Sequence, residues 1–587
     1  MRVIVMSDAV KRAEEFLTRE GAFRLGELLT EAFHPKTSTL SQTAAIDLPA
    51  AIRCLQSVDD EIPPAMAKVL RQDSFGRLVD AFGEAMSGGK KIYFTGCGAT
   101  GRLSILLEAA WRRCWREIGK VSPELGEMEN RVFSVMAGGD YALIKSVEGY
   151  EDFPDFGRYQ LRELGVGQGD VVVAITEGGE TSFVIGTAWE GLDAGAKVFF
   201  VYNNPTELLC RHVKRSREVI EEPRITKLDL TTGPMAITGS TRMQATTAEL
   251  FIVGSALEIA LVRFLRQMLS PSDAERLHLR EYRPDECHQQ LCELLGQLSS
   301  NEAVDMLAVA TAFEEGIYRR QGLVTYAADK FLLDVLTDTT ERSPTFMLPA
   351  FRKQDDNLSP RSWAFVKDPF RPTKGAWHEL LQRDPRGLDW GRDVYERINA
   401  PENLKTRPPK LDNAEIHKFM IGNEPDHSRT DAADSAHVVV GVGSENQLIH
   451  AALEQYGSQY KKNAAIIVGP ADAVGTTDEI FRFPCTLADS PLQLWHHLAV
   501  KLVLNTLSTA TMVRMDRVIG NAMVWLSPSN KKLIDRGCRL ITQQTGCSYD
   551  QACITLHEAL EEIELLQKQG KEVPSPVAFA IERIQSG

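Results

Sequence analysis

Positive charge is scarce in this sequence, long apolar runs are missing, and the cysteines do not fall into pairs. Lys and Arg number 66 against 80 Asp and Glu, a net charge of −14. An acidic chain with no basic block is a poor match for a polyphosphate backbone, so a nucleic-acid partner is excluded. The most apolar long stretch, residues 250–265, is broken by Glu258 and Arg263. It reads as a buried helix and not as a membrane span, which would need about 20 uninterrupted apolar residues. The first sixteen residues carry Asp8, Lys11, Arg12, Glu14 and Glu15 where a secretory signal would be apolar, so a cytoplasmic chain is expected. The ten cysteines include no C-x-x-C pair, and Cys287 and Cys292, flanking His288, have the wrong spacing for a zinc knuckle. Reduced thiols and no metal are the expectation.

What remains is an ordinary globular composition, 43% hydrophobic and 25% charged over 587 residues, long enough for about four units. Residues 1–88 are helical in pattern. The period then changes: short runs rich in β-branched and aromatic residues at 92–95, 132–136, 171–176 and 198–202 alternate with helical stretches, as in a parallel α/β sheet. A second series follows at 323–326, 346–348, 437–440, 464–468 and 480–483. The expected division is an N-terminal helical segment (1–88), a first α/β domain (89–270), a helical linker (271–310), a second α/β domain (311–520) and a C-terminal helical cap (521–587). Residues 351–435, rich in Pro, Asp and Arg, read as an insertion or lid within the second domain. Two units of similar order suggest an internal duplication.

Chemistry concentrates in the first unit. Gly96-Cys-Gly98-Ala-Thr100-Gly101-Arg102 follows a strand and opens a helix, an arrangement that lets backbone N–H groups approach an anion. The same letters fit the dinucleotide fingerprint, but the next strand leads into Met136-Ala-Gly-Gly139 and lacks the acidic residue a ribose would need. A phosphate or sugar-phosphate loop is favoured; a tight turn with no ligand is the alternative. A second turn, Thr176-Glu177-Gly178-Gly179-Glu180-Thr181-Ser182, offers hydroxyls and backbone freedom, although Glu177 and Glu180 are awkward neighbours for an anion. Thr238-Gly-Ser240-Thr-Arg242-Met243 adds hydroxyls and a guanidinium. His497 stands one helical turn from Lys501 and either lines a site or serves packing.

Several of these stretches resemble the N-acetylmuramic acid 6-phosphate etherases: Ala137-Gly-Gly139 onward through Gly149-Tyr150-Glu151-Asp152, the segment from Thr238 to Met243, Lys501-Leu-Val-Leu-Asn505, Gly520-Asn521-Ala-Met523 and Asn530-Lys-Lys-Leu533. Those etherases carry one sugar isomerase (SIS) domain per chain and act as dimers. A chain with two such units looks more like their non-enzymatic relatives, the glucokinase regulatory proteins. Asp338-Thr-Thr-Glu341-Arg342-Ser-Pro344-Thr-Phe346 resembles the stretch that carries the family's catalytic acid, with Arg342 where the family has Cys. The matching position in the first unit is Ala110, and Leu250 stands there where the second has Lys501.

The resemblance implies two flavodoxin-like SIS domains, N-terminal helices and a C-terminal helical cap, with one composite site spanning the two halves. By the same resemblance Glu151 is the base, Glu341 the acid, and Lys501 contacts sugar or phosphate. Gly98, Thr100, Gly101, Thr176, Gly178, Glu180, Thr181 and Ser240 would complete the substrate site, with no cofactor. A carbon–oxygen lyase acting on an amino-sugar phosphate is the leading expectation. A non-catalytic sugar-phosphate sensor that regulates a sugar kinase is the alternative.

Overall fold

The computed structural model describes residues 8–147, 149–470, 479–528, 530–568 and 573–586. Its frame is two parallel sheets of five strands each. The first contains β1 (Ile92–Gly96), β2 (Val132–Met136), β3 (Val171–Thr176), β4 (Lys197–Tyr202) and β5 (Ile225–Asp229), in the order β2-β1-β3-β4-β5. The second contains β6 (Leu323–Ala327), β7 (Ala364–Lys367), β8 (Ser435–Val442), β9 (Lys462–Val468) and β10 (Glu479–Phe483), in the order β10-β9-β8-β6-β7. Counted within its own unit, each sheet has the strand order 2-1-3-4-5, the flavodoxin-like doubly wound arrangement expected from the sequence. β1, β3 and β8 are buried along their whole length, which is why they read as unbroken apolar runs and not as alternating ones.

Helices link these strands and join the two units. α1 (Gly98–Val121) follows β1 directly, and α2 (Gln244–Met268) closes the first unit with nearly every side chain buried. In the second unit α3 (Leu332–Phe346) follows β6, and α4 (Leu494–Arg514) closes the sheet as α2 does in the first. α2 and α4 pack against each other: a Cβ at Gly254 would lie 2.6 Å from a Leu494 methyl, and the Phe251 and Trp495 rings are 6.2 Å apart. Glycine at this point allows the close approach. The cap, beginning with α5 (Lys531–Thr545), folds back on the N-terminal segment, where helix Asp8–Arg19 packs along helix Tyr549–Lys568.

The sequence reading departs from the structure at the second sheet. Residues 346–348 are the end of α3 and its left-handed cap at Met347, not a strand. A three-residue apolar run cannot be told from a helix terminus by periodicity. The strand that fills this place, β7, lies inside the segment read as an insertion from 351 to 435, so that segment is part of the sheet and not wholly an addition to it. β5 was also missed, because Thr226, Lys227 and Asp229 interrupt it on the sheet edge. The remainder of the segment is a strap docked on the first unit. Arg383 bonds Glu108 at 3.0 Å and Asp140 at 2.5 Å, while Trp390 and Tyr395 pack among Tyr150 and Phe156.

Glu31 holds the two ends of the chain together. Its carboxylate, 1% exposed, accepts from Arg536 at 2.9 and 2.6 Å and from Arg539 at 2.7 Å. Although burial opposes ionisation, these guanidinium groups hold it far below the ordinary carboxylate range. A depressed carboxyl stabilises the fold above its unfolded pKa of about 4.3 and loses that contribution as pH falls below it. Glu31→Gln should therefore lower the unfolding free energy by about 3–5 kcal/mol near neutral pH. The gap to wild type should narrow as denaturation is repeated at progressively lower pH.

Candidate functional site

Five segments converge where the two units meet. The loop after β1 turns at Gly98, whose φ of +53° suits glycine, and the Thr100 hydroxyl closes the turn by accepting from Cys97 N at 3.0 Å and donating to Cys97 O at 2.8 Å. A Cβ at Gly101 would lie 2.5 Å from Met136, so this glycine lets α1 press onto the end of β2. One residue on is Arg102, 2% exposed, which donates to Leu143 O at 3.1 Å, Ala142 O at 3.4 Å and Thr340 Oγ1 at 3.3 Å. It reaches from the first unit to α3 of the second.

Arg102 lies within electrostatic reach of Glu341, Glu151 and Glu177. Glu341 is 5% exposed on α3; burial pushes its carboxyl above the ordinary range, against the pull of Arg102, Arg242 and Lys501. Glu151 is also pushed up by burial and by Asp152 and Glu180, with Lys532 and Arg102 opposing. Glu177 is raised to about 7, again by burial first, with Glu341 and Glu151 adding to it. All three carboxyls, drawn from two domains, hold their protons to a higher pH than an exposed glutamate, with burial the first cause in each. The reach of Arg102 places Glu151 and Glu341 in one electrostatic neighbourhood.

The hydroxyl turn sits on the other side of β3. Thr176 and Thr181 join hydroxyls at 3.0 Å, and the Gly178 carbonyl accepts from Asn204 at 3.0 Å. Glu180 is neutralised here and is not a bare negative charge: it pairs with Lys532 at 2.5 Å and Arg215 at 3.1 Å, and these cations hold it in its ionised form. Its expected repulsion of an anion is therefore answered locally. Lys532, on the first turn of α5, is the group that brings the C-terminal cap to the site.

Lys501 is more engaged than the sequence suggests. Its ammonium donates to Arg242 O, Met243 O, Thr247 Oγ1 and Asn505 Oδ1 at 2.8–3.1 Å. Burial lowers its pKa to about 8, with Glu341 and Asp59 opposing the shift. An ammonium has three donors, so contact with a ligand requires it to release one of these acceptors. Ser240 is buried in the loop between Thr238, which bonds Asn521, and Arg242. His497 pairs with Asp334 at 3.0 Å and lines a different cavity, beside Ala110 and Lys330.

A small cavity of about 40 Å³ brings together Ala99 of the glycine loop, Arg102, Thr246, Asp338, Glu341 and Lys501. Glu151, Ser240 and the residues from Thr176 to Thr181 do not line it; Arg102 and Glu177 connect them to it through charge. Counted from the first residues of β1 and β6, Ala110 takes the place of Glu341. The dyad-related cleft therefore lacks the carboxyl. Arg102, Glu177 and Lys532 were not singled out from the sequence as site residues. A charged residue in the first turn of an otherwise buried helix was the available signal for Arg102. Among the described residues no group of three His, Cys, Asp or Glu side chains is arranged to hold a metal ion.

Residues 77–190 match the glucokinase regulatory protein N-terminal SIS domain. Along part of its length the chain is similar to the N-acetylmuramic acid 6-phosphate etherases as well. An etherase of that name from Pectobacterium atrosepticum is 28% identical over 229 residues, 39% of this chain and 67% of that protein. Another from Streptomyces coelicolor is 27% identical over 240 residues, covering 41% and 69%. Among solved structures, the tagatose-6-phosphate ketose/aldose isomerase from Escherichia coli aligns with a TM-score of 0.42 at 9% identity, over 81% of this chain and 94% of that one. The C-terminal domain of glucosamine-fructose-6-phosphate aminotransferase from Francisella tularensis aligns with a TM-score of 0.42 at 11% identity, over 78% and 95%.

The Glu180 cluster makes a testable claim about assembly of the site. Glu180→Gln leaves Lys532 and Arg215 without their carboxylate in a buried setting, which should cost about 3–5 kcal/mol of stability. Hydrogen exchange should rise first in α5, because Lys532 is its tie to the first domain. Unchanged exchange in α5 would show that the cap is held by the Glu31 contacts alone.

Proposed function

We propose that this chain binds an open-chain amino-sugar phosphate between its two domains and cleaves a lactyl ether from it. The observation that carries the reading is the pair Glu151 and Glu341, one from each domain, both buried, both held above the ordinary carboxylate range and both within electrostatic reach of Arg102, which lines one cavity with Glu341. Cleaving such an ether needs a base and an acid. The proton on carbon 2 is acidic because the neighbouring aldehyde accepts the electron pair. Glu151 removes that proton, the pair forms the C2–C3 double bond, and the C3–O bond breaks as Glu341 protonates the departing lactate oxygen. Water adding across the double bond restores the proton at carbon 2 and a hydroxyl at carbon 3. A raised carboxyl is a stronger base than an exposed one and remains a proton donor to higher pH, so burial serves both roles.

The helix α1 N-terminus with Gly98, Thr100 and Gly101 is the proposed seat of the phosphate, because its free N–H groups favour an anion. Thr176, Gly178, Thr181 and Ser240 are proposed to bind sugar hydroxyls or phosphate oxygens. Glu180 is proposed to act by orienting Lys532 beside the sugar, and Lys501 by fixing the loop that carries Ser240. A second reading, a sugar-phosphate sensor acting on a sugar kinase, is favoured by one specific observation. Lys501 is saturated by protein acceptors. The family match at residues 77–190 to the regulatory protein agrees with it.

Incubation with N-acetylmuramic acid 6-phosphate separates the two. An etherase releases lactate, and Glu151→Gln and Glu341→Gln each reduce turnover by about two to four orders of magnitude while calorimetric affinity stays near wild type. Binding without lactate release supports the sensor. Full turnover in either variant removes that residue from the proposed chemistry.

A further inference from the structure

Cations collect on one part of the second domain although the whole chain carries a net charge of −14. Beside the edge strand β7 lies a cavity of about 300 Å³, lined by Arg352, Lys353, Arg361 and Arg429, with Asp426 the one carboxylate among its lining residues. It shares no residue with the interdomain cavity. Lys353 is already paired with Glu415 at 2.6 Å, and Asp426 is occupied in accepting from Ser428. The three arginines form no ion pair among the described residues, although Asp426 lies within electrostatic reach of Arg429 and Asp356 of Arg352.

Arg429 is the deepest of them, 3% exposed. Its Nε donates to Thr325 Oγ1 at 2.7 Å, its Nη1 to Ser362 O at 2.9 Å, and its Nη2 to Val324 O at 2.7 Å and Trp363 O at 3.2 Å. Every one of these acceptors is neutral, and the Phe365 ring lies 5.3 Å from the guanidinium carbon. Among the described residues no carboxylate comes within 4.0 Å of Arg429, Arg352 or Arg361. Burial lowers the Arg429 pKa only to about 10, so it remains charged at neutral pH. A buried charge without a counter-charge is costly, and proteins ordinarily supply the partner. Here the chain fixes the guanidinium with four neutral acceptors and leaves the charge facing a cavity flanked by two further arginines.

We infer that this cavity binds a phosphate-class dianion, with Arg429 as its buried anchor and Arg352 and Arg361 as its outer arms. Guanidinium groups suit tetrahedral oxyanions because they offer planar, directed donors; Arg429 keeps one Nη1 hydrogen and its charge for the anion, and the outer arginines supply the further donors. The volume admits a phosphate monoester as well as free phosphate, at the lower end of the range for small-molecule sites. The site is separate from the proposed sugar-phosphate cleft, and neither depends on the other.

The test is hydrogen exchange on the full chain with inorganic phosphate, against sodium chloride at matched ionic strength. Phosphate should protect residues 352–362 and 425–430. The double variant Arg352→Glu/Arg361→Glu changes side chains that are only partly buried or exposed, and it should raise the phosphate concentration needed for that protection by about tenfold or more. Its unchanged melting temperature would show that the fold is intact. Equal protection by chloride, no protection in these segments, or full protection in the double variant would each overturn the inference.

Discussion

Asp338 is the carboxylate on which the interdomain site depends. One oxygen accepts from Ser508 at 2.7 Å, Asn505 at 3.0 Å and Arg242 at 3.3 Å; the other accepts from Arg342 at 2.8 and 3.0 Å. These groups come from α3, from α4 and from the loop that carries Ser240, so one side chain registers three segments drawn from both domains. Arg242 also bonds Ser508 and Thr509, and Arg342 extends the network to Glu314 at 2.5 Å. A buried cluster of this kind is weak evidence of stability, since desolvation offsets much of the Coulomb attraction. What it fixes is position. Glu341 lies one turn from Asp338 on α3, and Lys501 lies one turn from Asn505 on α4, so their placement follows from this network.

The strap supplies the corresponding constraint for the first domain. Trp390 stacks on Tyr150 with ring centroids 6.1 Å apart, and the hydroxyls of Tyr395 and Tyr150 are hydrogen-bonded. Tyr150 is fully buried and directly precedes Glu151. The second domain's chain therefore holds the segment that bears the first domain's carboxyl, just as Arg102 of the first domain holds Thr340 beside Glu341. Each half positions a buried glutamate of the other. Arg342 fits the same pattern, because its guanidinium is the largest contributor of charge to Asp338.

Much of this fold was legible because the strands are buried on both faces, and continuous Val, Ile and Phe runs such as 171–176 mark themselves. β5 was not legible because Thr226, Lys227 and Asp229 break its apolar run at half-exposed positions. β7 is buried throughout, but its four residues are too short a run to stand out. The site was half legible. Gly98, Thr100 and Gly101 announce a strand-to-helix turn from spacing alone, and Glu151 and Glu341 were found through resemblance. Lys532 was hidden because nothing local distinguishes it, and the contacts that place it and Arg102, to Glu180 and Thr340, span hundreds of residues. Spacing cannot report on a contact that only the docking of cap and domains creates.

Duplication explains why the site is built this way. In a symmetric pair of identical domains, a change to one carboxyl alters both clefts together. Within a single chain the two copies vary separately, and here they have. Ala110 stands where Glu341 stands in the other half, counted from the first residues of β1 and β6. The cleft beside Ala110 is occupied instead by Arg113 and Lys330, with His497 tied to Asp334. The first domain, without that carboxyl, is the surface on which the strap docks and anchors Tyr150. The asymmetry has a physical consequence for the surviving site. Its carboxyls are held by groups from both halves, so any motion of one domain against the other changes the distance from Arg102 to Glu341 and with it the protonation of the pair.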